Sequence, residues 1–435
     1  MTARRLGLAL VIILVVATAF VHGVRGAGFY LDDWLSLRNA HFDGALRAAG
    51  HDRTLQRPGE GAIAALMFGL IGAHPLLHLV VLTVARAAMA TALWRLLRHV
   101  VPELAALLVL VVWVLQPTHL SMELWSTAIN GPVAFALAAT GVLVALGPCS
   151  PRRRLITVAL IGLAGLTYEA VLPIALVALC VLPVLERKAI DWWLVAASTA
   201  TATAAAGWVF AHRLGSKADG GLADPRPAFD ALFGYGISPS PATARVSSLV
   251  AVAAAALIVA TAVHRKSVTV PAGLVSGGVA TIILGVAPFS LHSYEPLGAG
   301  DRANLLAAIG GSMVWAGIVL AAWQARRVVG GAALGALVVL AVSTRWRYEA
   351  VWDDAARVGP RFAVAAREAR PRGEIVVIPG PLVCGNVAAI GDPTFLAAAV
   401  QLARDEPERA AQYAEGHGAP ADALDLAAIT PACRG

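Results

Sequence analysis

Two adjacent carboxylates, Asp32 and Asp33, stand in the run Phe29-Tyr30-Leu31-Asp32-Asp33-Trp34, just beyond an apolar stretch that ends near residue 24. Charge beside hydrocarbon is costly unless it has a partner or a task. A carboxylate there can act as a general base that deprotonates an acceptor hydroxyl, or can hold a divalent cation (Mg or Mn) against phosphate. The plainer reading is a hydrated helix end, with Tyr30 and Trp34 as interfacial anchors. Other polar positions recur between later apolar runs: Arg57-Pro58, His74-Pro75, Gln116-Pro117-Thr118-His119 with Glu123 and Trp125, and Tyr168-Glu169. His119 and Glu123 stand four apart and would share one face of a helix. Two candidate ligands without a third do not make a metal site, and helix-end hydrogen bonding accounts for them equally well.

The elements that must position these residues are membrane helices. Hydrophobic residues make up 58% of the chain and charged ones 14%, with a mean hydropathy of +0.72, far from the roughly one quarter charged of a soluble domain. Apolar runs long enough for hydrocarbon about 30 Å thick recur along the chain. They cover approximately residues 6–24, 75–97, 101–117, 129–146, 155–168, 171–185, 190–211, 246–263, 269–289, 303–323 and 329–343. The stretch from Leu155 to Leu185 is too long for one crossing and has basic clusters at both ends, so its turn must lie near Tyr168 and Glu169. The net charge of +7 does not point to nucleic acid, because its basic residues sit in short clusters between apolar runs rather than on one soluble face. Arg4 and Arg5, Arg95 and Arg98, Arg152 to Arg154, Arg187 and Lys188, Arg265 and Lys266, and Arg326 and Arg327 would all mark cytoplasmic helix ends.

This reading predicts an all-α polytopic protein of the cell membrane with about eleven transmembrane helices in residues 1–343 and a cytoplasmic N-terminus. External loops would occupy 25–74, 118–128, 212–245 and 290–302, and a small external α/β appendage would follow at 344–435. The first helix reads as uncleaved rather than as a signal peptide. Gly61 to Gly72 would suit a helix lying in the interface, or simple packing. In the tail, Glu374 to Ile378 reads as a strand and Pro393 to Arg404 as a helix capped by Asp392. Cys384 and Cys433 would face an oxidising compartment, either paired or as two thiols. Cys149 and Cys180 read as packing residues.

In their order and on their common side, these motifs resemble the GT-C superfamily of integral membrane glycosyltransferases, particularly its protein O-mannosyltransferase-like members. There an acidic pair follows helix one, an Arg-Pro step leads to an interfacial helix, and an HP.H.E..W stretch follows helix three. Here that stretch stands as Gln116-Pro117-Thr118-His119-Leu120-Ser121-Met122-Glu123-Leu124-Trp125, with Gln116 in place of the usual His and Tyr168-Glu169 in place of the more common Lys-Glu. The likeness spans roughly residues 1–190, and the helix order extends it to about 343.

What the resemblance implies is transfer of a sugar from a polyprenyl-phosphate carrier, at the external face, to a glycan, lipid or protein acceptor. Asp33 or Asp32 would be the base, with His119, Glu123, Tyr168 and Glu169 supporting substrate or metal. Developing charge on the leaving phosphate needs a cation in a low-dielectric site. Arg57 and Arg302 are the candidates, although Arg302 could instead pair with Asp301 or Glu295. Two other readings stay open: a transporter or flippase of lipid-linked saccharides, and a noncatalytic scaffold of envelope assembly.

Overall fold

The computed structural model describes residues 3–212, 232–233, 241–264, 269–289, 303–368, 375–378, 382–384, 387–390, 393–408 and 410–413. In chain order the helices are α1 (Ala3–Gly26), α2 (Asp33–Arg38), α3 (His51–Gln56), α4 (Pro58–Ala64), α5 (Pro75–Leu97), α6 (Glu103–Leu115), the one-turn α7 (Ser121–Leu124) and α8 (Asn130–Ala145). They continue as α9 (Pro151–Thr167), α10 (Leu172–Leu185), α11 (Trp192–Ala211), α12 (Pro241–His264), α13 (Thr269–Val286), α14 (Asn304–Ala325) and α15 (Arg327–Glu368). Strands β1 (Ile375–Ile378), β2 (Leu382–Cys384) and β3 (Val387–Ile390), helix α16 (Pro393–Arg404) and strand β4 (Ala410–Tyr413) follow.

A helix lies under each of the eleven apolar segments. Among the described residues, 8 are long and apolar enough to cross a membrane by length and composition, so the chain is a multi-pass helical membrane protein. The others are shorter: α6 has 13 residues and α9 has 17. Large apolar side chains such as Phe20, Leu249 and Leu257 stand exposed, as a lipid-facing surface requires.

Local chemistry sets the helix ends. Ser150 caps α9 by accepting a hydrogen bond from the backbone N–H of Arg153, with Pro151 in the first turn, where its missing N–H costs nothing. Asp191 caps α11 in the same way through Leu194. The segment Gly61 to Gly72 is helical, α4 running on as a π-helix over Ala65–Ile71.

The chain comprises two compact units. The first comprises residues 1–17, 84–120 and 131–348. Within it α13 and α14 touch backbone to backbone: a Cβ on Gly310 would meet the Gly278 carbonyl oxygen at 2.4 Å and the Ile282 nitrogen at 2.8 Å. Small residues permit such approach between membrane helices, where dispersion rather than water exclusion drives packing. Gly310→Val should therefore cost about 1–3 kcal/mol or more. Thermal melting of the purified variant checks this, and an unchanged midpoint would refute the close packing.

The second unit comprises residues 18–83, 121–130 and 349–435. The first loop and the tail thus belong together, and the boundary expected at 343 falls inside α15. That helix persists past the apolar run because its charged turn is compensated: Asp353 accepts hydrogen bonds from His22 at 2.5 Å and from Arg25 at 3.1 Å. Its apolar side is also used, since Trp352 meets the Tyr30 ring edge-on at 4.9 Å. The tail strands pair locally, β1 parallel with β4 and β2 antiparallel with β3. The carbonyl of Ala389 on β3 accepts hydrogen bonds from the Leu31 N–H at 3.0 Å and the Trp34 indole at 3.1 Å, while Arg38 reaches Gln401 of α16 at 2.9 Å. Cys384 is disulfide-bonded, and Cys149 and Cys180 are free thiols. Cys433, Glu374, Asp392, residues 290–302 and most of 212–245 lie outside the described residues.

Candidate active site

The site grows from an unusual backbone conformation. Leu31 has φ of 45°, a left-handed value that a branched side chain adopts only when its surroundings hold it there. The turn it makes points the Tyr30 N–H at the Asp33 side chain, Oδ2 accepting at 3.1 Å. The other oxygen of Asp33 accepts from the Thr127 N–H at 3.0 Å. Asp33 is fully buried, and burial, followed by the neighbouring Asp32 charge, raises its carboxyl well above the usual range against three backbone hydrogen bonds that lower it.

Asp32 occupies a different position. One oxygen accepts from the Thr127 hydroxyl at 2.6 Å and the other from the Arg53 guanidinium at 2.6 Å. Arg53 and Thr127 line a cleft of about 290 Å³, counted with the solvent space at its mouth, together with Glu60, Asn130, Met67 and Phe68. The Arg53 side chain is 44% exposed, whereas Asp32 behind it is buried. The arrangement joins an anchored, buried acid to a second acid under a movable cation.

A raised Asp33 has a testable consequence. Its folded-state value lies above its unfolded value, so between the two the folded state holds more protons and stability falls as pH rises through that window. Asn mimics the protonated acid, placing one donor against a backbone N–H as the protonated form does. The melting midpoint of Asp33→Asn should match the parent near pH 4, the unfolded carboxylate range, and exceed it increasingly toward neutral pH. A difference that stays flat with pH would show that Asp33 is ionised without penalty.

The remaining expected site residues that are described belong to both units. Arg57 pairs with Glu60 at 3.4 Å, and it is Arg53, one turn earlier, that meets the acid pair. His119 is buried in the first unit with its ring stacked on Trp113 at 5.1 Å, while the buried Glu123 lies on α7 in the second. Because α7 begins at Ser121, His119 precedes it in a turn and the shared helix face does not form. Tyr168 breaks the chain between α9 and α10 in an extended conformation, as the turn there requires, and its ring lies 6.5 Å from Phe289. Glu169 follows in a short 3-10 turn. Gln116 is fully buried and accepts from the Ser312 hydroxyl at 3.1 Å. Arg302 lies outside the described residues.

A divalent cation does not suit this donor set. Both oxygens of Asp32 are engaged by Arg53 and Thr127, and both of Asp33 by backbone N–H groups. Among the described residues no three His, Cys, Asp or Glu side chains group to hold a metal ion. Two contributors were not singled out from sequence. Thr127 follows the quoted stretch by two positions, and Arg53 had no mark distinguishing it from Arg57. Against known proteins, the chain matches no family model, no curated protein and no solved structure.

Proposed function

We propose that this chain is a membrane glycosyltransferase of GT-C type, with about eleven crossings and an external face that carries residues 25–74 and the tail. It transfers a sugar from a polyprenyl-phosphate carrier to an acceptor hydroxyl. The observation that supports this most is the Asp32 carboxylate held by Thr127 and Arg53, two residues that line the cleft. Asp32 is the base. It takes the acceptor proton as the acceptor oxygen bonds to the anomeric carbon, and the bond from that carbon to the phosphate oxygen breaks with its electron pair on the leaving polyprenyl phosphate. Arg53, displaced from Asp32, is free to meet that developing charge, with Arg57 and Arg302 as further cations. Asp33 positions rather than reacts, since both its oxygens fix the backbone of residues 30 and 127.

One observation favours the carrier reading instead. Arg86 lies midway along α5 and is only 2% exposed, and an ionisable residue within a membrane helix often marks a translocation path. Reconstituted protein incubated with a labelled polyprenyl-phosphate sugar and an acceptor separates the two. Transfer that depends on Asp32 supports the enzyme, whereas movement of the intact donor across the bilayer without transfer supports the carrier.

A further inference from the structure

At the basic end of the first unit, where the loops 146–150 and 186–191 meet, a second cleft of about 390 Å³, counted with its open solvent space, lies between α9, α10 and α11. Its polar wall is Arg153, Lys188 and Asp191, the last paired with Arg153, and its floor is apolar, formed by Leu146, Leu179, Pro183 and Val195. Arg153 donates to the Gly147 carbonyl and to Asp191 at 2.9 Å, yet its Nε is buried without a hydrogen-bond partner. Lys188 donates to the Leu146 carbonyl at 2.9 Å and keeps a side chain that is 53% exposed.

Charge here is unbalanced. The two loops and the first turn of α9 carry five basic residues, Arg152, Arg153, Arg154, Arg187 and Lys188, against two acids, Glu186 and Asp191. Both acids are already engaged internally, Asp191 by Arg153 and Arg154 and Glu186 by Lys188 and His99. Although Arg153 and Lys188 each already have an acidic partner, the two loops and the first turn of α9 carry a net positive charge. Beside it Trp192 and Trp193 stand exposed at the start of α11, with the Arg154 guanidinium 5.2 Å from the Trp193 ring, a pairing that suits the head-group depth of a bilayer.

We propose that this cleft binds an anionic phospholipid, its phosphodiester held by Lys188 and Arg153 and its first acyl carbons lying on Leu179, Pro183 and Val195. An apolar floor under a wall of net positive charge fits a lipid and not a free anion, and basic pockets between helix ends recognise such head groups. This inference is independent of the transfer reaction and rests on the helices crossing a membrane. The test is native mass spectrometry of the full chain in detergent, titrated with phosphatidylglycerol or phosphatidylcholine. Phosphatidylglycerol should be retained preferentially and survive excess inorganic phosphate. Lys188→Gln should weaken it about five-fold, the effect of one basic residue near a lipid surface, with phosphatidylcholine unaffected and Lys188→Arg behaving as the parent. Equal retention of both lipids, displacement by inorganic phosphate, or undiminished binding by a folded Lys188→Gln protein would each overturn the proposal. If Lys188→Gln does not fold, a Lys188→Arg protein that loses the preference for phosphatidylglycerol overturns it equally.

Discussion

On the proposed function, replacing Asp32 with Asn should lower sugar transfer by about 10²–10⁴-fold, the usual worth of a positioned general base, and should leave the fold in place. Asn keeps the shape and still accepts from the Thr127 hydroxyl, a 2.6 Å bond in the parent. What it loses is the lone pair basicity needed to take the acceptor proton. Arg53 does not become a stranded charge, because it is partly exposed and has Glu60 at 3.8 Å as a second partner. The loss should fall on kcat, since the proton moves only in the transition state. Asp33→Asn should cost less activity, as both its oxygens bind backbone N–H groups rather than facing the cleft. Initial rates with a labelled polyprenyl-phosphate donor, compared at matched melting midpoints, decide the matter. An Asp32→Asn protein that turns over like the parent would remove Asp32 from the chemistry.

The largest loss of stability is expected from Asp353→Ala. Asp353 is buried on α15 and receives His22 at 2.5 Å and Arg25 at 3.1 Å, all three within the second unit. Deleting one member of a buried charged cluster costs about 3–5 kcal/mol, because the others keep their desolvation penalty without its compensation. The double variant His22→Leu/Asp353→Leu should recover much of this, since it removes the buried polar pair together, and the Arg25 side chain at 19% exposure can lean toward water. Thermal melting of the parent, the single and the double variants in one detergent tests both statements. A double variant as unstable as the single one would show that lost packing, and not unpaired charge, sets the cost.

The membrane class could be read directly from residue order. Lipid demands long uninterrupted apolar helices whose backbone groups are satisfied internally, so each crossing writes its own local signature, and basic residues punctuate them. For the same reason the turn at Tyr168 and Glu169 was legible, from a run too long for one crossing, and a helix within Gly61 to Gly72 was one of two readings its apolar residues allowed. The acid pair stood out because charge beside hydrocarbon is rare.

Only the tertiary structure decided which partner each acid has. Asp32 and Asp33 are neighbours in sequence and equal in type, yet the left-handed turn at Leu31 aims one into backbone N–H groups and the other at Arg53. Thr127 comes to them from 94 and 95 positions away, and no local pattern announces a contact of that separation. Arg53 and Arg57 are likewise a turn apart, and only the fold of 51–64 sends the first to Asp32 and the second to Glu60. That the helix begun by the last apolar run continues to Glu368, well past 343, was not legible, because charge after an apolar run looks like a membrane exit. The partners that let α15 continue, His22 and Arg25, lie 331 and 328 residues away, and electrostatic compensation over such distances along the chain exists only once the chain has folded.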